Sequence, residues 1–207
     1  MKFPKKSLRY QMIFRVITVL FILTASSHAQ QAAVEDTTGS SIVAAARSQV
    51  GKTVSYDPAD VGLKYPNGDI DISKGVCTDV IIRALRKAKK LDLQKLVHVD
   101  MRSNFSKYPK RWGLSRTDRS IDHRRVPNLQ TFFKRKGWSL AVTKKKENYH
   151  PGDLVTCTVA GRLPHIMIVS DKKAADGTPL IIHNIGNGAQ EEARLFEFPL
   201  TGHYRLK

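Results

Sequence analysis

Cysteine is scarce in this chain: Cys77 and Cys157 are the only two in 207 residues. Two thiols cannot staple a small disulfide scaffold, and neither belongs to a Cys-x-x-Cys pair. No His-x-x-x-His pair occurs either, so the close-spaced signature of a zinc site is missing. Internal repeats and low-complexity tracts are absent, which excludes solenoids and propellers. Acidic residues are few, 18 against 35 Lys and Arg, for a formal net charge of +17. No apolar run reaches the length of a membrane-spanning helix, because the longest, Met12–Leu23, is short and broken by Arg15.

What stands at the N-terminus is a secretory signal. Lys2, Lys5, Lys6 and Arg9 form a basic stretch, the apolar run follows, and Ser27-His28-Ala29 offers small residues for cleavage. Residues 1–29 are therefore expected to be removed, with no stable membrane span afterwards and 30–36 as a disordered lead-in. The expected location is the periplasm or cell surface. The signal carries five of the basic residues and no acidic one, so the remainder keeps a charge of +12. Export argues against nucleic acid as the partner of this cation. Peptidoglycan or its muropeptides, or another anionic envelope polymer, fits better.

Residues 37–207 suit one domain. Ile42, Val43, Ala46 and Val50 recur at helical spacing up to Gly51. Asp57–Gly75, with Pro58, Gly62, Pro66 and Asn67-Gly68, reads as a long ordered loop. Val76–Lys90 is the strongest helix, apolar on one face and basic on the other. Asp92 caps another, and Pro127 starts a third that Gly137 ends. Strands are expected at Leu154–Val159, Ile166–Ser170, Leu180–His183, Leu195–Phe198 and His203–Leu206, with Asp176-Gly177 at a hairpin tip. Helices first and strands after give an α+β fold with an antiparallel sheet.

Cys77 opens the strongest helix, where the macrodipole favours a thiolate. Nucleophilic catalysis by cysteine also needs a base and a group that orients it. His165 starts a strand directly after Pro164, and His183 ends its hairpin partner, so the two are expected side by side. Asn184 is the other candidate for the third position, but strand alternation points it to the opposite face. A disulfide to Cys157 or a plain buried thiol is the competing reading of Cys77. Zinc held by Cys77, His165 and His183 is a further alternative, and no metal or cofactor is expected. His123 with Arg124 and Arg125 offers donors for a substrate carboxylate, or else a basic loop satisfied by Asp118 and Asp122. Trp112, beside Lys110 and Arg111, is either a packing residue or part of a cleft.

Cys77 at a helix start, Pro151-Gly152-Asp153-Leu154-Val155, Pro164-His165-Ile166-Met167-Ile168-Val169 and Ile181-Ile182-His183 together resemble the NlpC-type cell-wall cysteine peptidases, which are papain-like hydrolases. Nearly the whole chain from about Ile42 resembles an exported bacterial family of unknown function. That second resemblance runs through Tyr65-Pro66-Asn67-Gly68-Asp69, Gly75-Val76-Cys77-Thr78-Asp79 and His123-Arg124-Arg125-Val126-Pro127. The peptidase resemblance implies a papain-like fold with Cys77 as nucleophile, His165 as base, His183 as third polar residue and Tyr56 near the oxyanion. It implies an amidase or endopeptidase cutting amide bonds in peptidoglycan. Three departures stand out: Val76-Cys77-Thr78-Asp79 replaces the usual Asp-Cys-Ser-Gly, the Tyr-to-Cys stretch is longer, and a helical, basic segment is added at about 92–138. A non-catalytic envelope-binding module, or a thioesterase or acyltransferase on the same fold, is the alternative.

Overall fold

The computed structural model describes residues 38–207. The expected signal segment and lead-in fall outside the described residues. The first helix, α1, covers 38–47 and buries Ile42, Val43, Ala45 and Ala46. It closes at Gly51, whose φ of 76° lies in the left-handed region that glycine enters without a steric penalty. Two short parallel strands follow, β1 (Ser55–Tyr56) and β2 (Lys74–Gly75), with the turn-rich loop between them.

Helix α2 runs Cys77–Lys89. Its first turn is fixed by Asp79, whose carboxylate accepts the Val76 N–H at 2.7 Å. Arg86, Lys87 and Lys89 occupy the last turn, where positive charge suits the helix dipole. Val80, Ile81, Ala84 and Leu85 form its fully buried side. Asp92 caps α3 (Leu93–Ser103) by accepting the Gln94 N–H at 3.1 Å. Helix α4 (Val126–Arg135) carries Pro127 in its first turn, where no intrahelical N–H is needed.

The strands form one six-stranded antiparallel sheet in the order β3 (Ser139–Leu140), β8 (Leu200–Tyr204), β4 (Leu154–Val159), β5 (Leu163–Lys173), β6 (Pro179–Asn184), β7 (Ala189–Glu192). The architecture is α+β, four N-terminal helices packed on this sheet. Leu154, Ile166, Ile168, Ile182 and Tyr204 face the helices and share a core with Val80, Ile81 and Phe132. Val155, Cys157, Met167, Val169 and Ile181 face the other way, under Tyr149 and Leu195, with Phe196 and Phe198 packed against them. Each large apolar side chain buried in this way contributes about 1.5–3 kcal/mol.

The strand expected at Leu195–Phe198 is not one. That segment is irregular and lies over the second face of the sheet, with Leu195 buried. Its apolar spacing serves this cover rather than a ladder. The real edge strand, β7, is short and polar and gave no alternating signal. The last strand ends at Tyr204, and β5 is longer than expected at both ends. Both cysteines are free, so the disulfide reading of Cys77 is excluded.

Candidate active site

Cys77 is buried, 4% exposed, at the start of α2, and it lines a cavity of about 210 Å³. Tyr56, Trp112, Arg124, Arg125 and Pro164 line the same cavity. The backbone N–H groups of Ile166 and Thr78 donate to its sulfur. Even so, burial and the nearby Asp79 carboxylate push the thiol up to about 12. The sequence expectation of an ionised thiolate is thus corrected: loss of solvent outweighs the helix terminus and the two N–H donors.

His165 and His183 come together as the hairpin predicts. Nε2 of one lies 2.8 Å from Nδ1 of the other, and Nε2 of His183 lies 2.9 Å from the Glu192 carboxylate. The result is a chain His165–His183–Glu192 in which the histidines are buried, 4% and 1% exposed, and Glu192 is partly exposed. Burial holds both imidazoles neutral, with pKa values below the ordinary histidine range; Glu192 pulls His183 the other way but does not reverse the shift. Glu192 was not foreseen, because its strand was not. A short, wholly polar run such as Gln190-Glu191-Glu192 carries no periodic signal that could have shown it.

Strand register sets the rings on the second face of the sheet. Cys157 stands opposite His165 in the β4–β5 ladder and Gln190 opposite His183 in the β6–β7 ladder. Cys157 belongs to the second-face core, whereas Cys77 belongs to the first. No hydrogen bond joins Cys77 to either histidine. The start of α2 nonetheless lies against the end of the β5–β6 pair that carries the two histidines. Pairing between these strands begins only at Ile168 and Ile182, so the ends carrying His165 and His183 extend past it. The residue after His165 donates its N–H to Cys77. The residue after His183, Asn184, donates its side-chain amide to the Gly75 carbonyl at 2.8 Å, two residues before Cys77. Asn184 points to the face opposite His183, as alternation predicts, and ties β6 to the start of α2.

Arg124 is buried and fully engaged. Its guanidinium meets both carboxylate oxygens of Asp79 at 3.0 Å and donates to the Ala59 carbonyl at 2.9 Å. Thr78 returns a hydrogen bond from its hydroxyl to the Arg124 carbonyl at 3.0 Å. The 3-10 turn Asp122–Arg124 is therefore bolted to the first turn of α2, a role the sequence did not reveal. His123, buried and held neutral by desolvation with its pKa lowered to about 4, does not line the cavity. Arg125 and Trp112 do, and they touch: the guanidinium carbon sits 4.3 Å from the ring centroid. Tyr56 projects from β1 into the cavity, and burial followed by the charges of Cys77 and Asp79 raises its phenol to about 12. Among the described residues no group of three His, Cys, Asp or Glu side chains is arranged to hold a metal ion.

The chain belongs to the family described as a domain of unknown function, DUF1287, whose pattern matches residues 43–206. It is 52% identical over 172 residues to a protein of Escherichia coli (strain K12) described as uncharacterized protein YijF, a match that covers 83% of each chain.

Proposed function

We propose that this member of the family is an exported, papain-like cysteine hydrolase that cuts amide bonds in peptidoglycan or its fragments. The observation that carries the reading is the convergence of Cys77 with the ends of β5 and β6. A buried thiol at a helix start opens into a cavity, and the backbone residues bonded around it adjoin two histidines linked to a carboxylate. The roles follow from the chemistry of each group. Cys77 Sγ attacks the amide carbonyl, forming the S–C bond. The thiol proton passes to His165, which delivers it to the departing amine as the C–N bond breaks. Water, deprotonated by His165, then cleaves the thioester. His183 and Glu192 hold the base and stabilise its protonated form. The N–H of Cys77, with the Tyr56 hydroxyl, is suited to receive the oxyanion.

Because the resting thiol and imidazole are both neutral, His165 acts as a general base rather than as half of a preformed ion pair. For this its ring must also turn from the second face of the sheet towards Cys77. A second reading, a binding module in which Cys77 only packs, is favoured by one observation: the thiol has no hydrogen bond to an imidazole. The two separate on one experiment. The full chain is incubated with peptidoglycan, and new amino ends are counted for the wild type and for Cys77→Ala. The hydrolase releases ends that the variant does not. The binding module retains peptidoglycan equally in both and releases nothing.

A further inference from the structure

We infer that Arg111 and Arg125, held on the ring of Trp112, form a subsite for a carboxylate of the substrate next to Cys77; this rests on the hydrolase reading above. The cavity around the thiol is lined by three arginines and no acidic residue. The three are not equivalent. Arg124 is spent on Asp79. Arg125 lies 4.3 Å from the Trp112 centroid and shares its charge with Asp122 at 3.6 Å, beyond hydrogen-bond length. Arg111, exposed, lies 5.3 Å from the same centroid, and no ion pair reaches it among the described residues. Contact with an aromatic face orients a guanidinium while leaving its planar fork of N–H donors available. A planar fork matches a carboxylate in a way that a lysine ammonium does not.

Both arginines and Trp112 come from the segment at about 92–138. The added segment thus builds one wall of the cavity and gives it a sign. At about 210 Å³ the cavity takes a side chain or a peptide terminus rather than a folded partner. The substrate class is an amide whose acyl part carries a free carboxylate a few bonds from the scissile carbonyl. His123, read from the sequence as part of a carboxylate site, has no share in it.

The test uses two alkylating probes of nearly equal size, anionic iodoacetate and neutral iodoacetamide. Their rates at Cys77 are measured in the full chain by mass spectrometry, and their ratio is divided by the ratio for glutathione. The subsite raises this normalised ratio roughly fivefold, the range of a partly exposed ion pair. Arg111→Gln and Arg125→Gln return it towards one, and Lys144→Gln, remote from the cavity, leaves it unchanged. A wild-type ratio equal to that of glutathione, or one that Arg111→Gln does not move, overturns the subsite. Turnover plays no part in this ratio, so its failure is separate from failure of the hydrolase. If neither probe labels Cys77, the reactive thiol itself fails, and tryptophan fluorescence is titrated with glutarate instead. A saturable change lost in Arg111→Gln then upholds the anion site, and no saturable change overturns it.

Discussion

At Cys77 two opposed effects meet, and their sizes decide the resting state. A helix N-terminus and two N–H donors favour the thiolate, but the sulfur is almost wholly removed from water, and burial wins. Sequence alone displays the first effect and hides the second, since the depth of a side chain depends on elements far away along the chain. The consequence is testable without substrate. Alkylation of Cys77 by iodoacetamide is expected to be slower than that of glutathione at pH 7 and to keep rising through pH 10. A plateau below the ordinary thiol pKa of about 8.5 would show a preformed thiolate and contradict this resting state. His165 and His183 were legible as neighbours because a hairpin tip at Asp176-Gly177 fixes which strand ends meet. The face on which their rings lie was not legible, because it depends on the register of β4 and β7 as well.

Among the elements, the first turn of α2 and the turn Asp122–Arg124 form one unit through the Asp79–Arg124 pair. Both side chains are nearly inaccessible, 5% and 2% exposed. A buried ion pair adds little net stability compared with an apolar pair, but removing one partner strands the other. Arg124→Met is therefore expected to cost about 3–5 kcal/mol in urea unfolding, and Asp79→Asn in the same chain to restore part of it. A loss under about 1 kcal/mol would mean the pair is dispensable. The helices were readable from their caps, Asp92 and Pro127, and from the apolar face of α2, all of which are local. The pairing of Asp79 with Arg124 spans 45 residues, and no local pattern announces it. The cover over the second face, Leu195–Phe198, misled for the same reason: its alternation is real, but what it packs on is distant.

For the whole molecule, the buried histidines set the response to acid. His123, His165 and His183 are all held neutral by burial, with folded pKa values below the unfolded value of about 6.5. Below that pH the unfolded chain binds protons that the folded chain refuses, so stability falls as pH drops through the window from 6.5 towards about 4, the value for His123. Asp122, raised to about 6 by burial, works in the opposite sense, but it is one group against three. Urea midpoints are expected to be lower at pH 5 than at pH 7.5, and an equal or higher midpoint at pH 5 would contradict the neutral histidines.

The α+β arrangement of the whole chain followed from the order of its patterns, helices before strands, whereas the cavity did not, because five separated stretches of the chain build it. Release of amino ends from peptidoglycan, comparing the full-length wild type with Cys77→Ala shown to be folded by near-ultraviolet circular dichroism, tests the central claim most directly. The account predicts release by the wild type and a loss of at least about a thousandfold in the variant. Equal release by both proteins, or none by the wild type between pH 6 and 9, would contradict it.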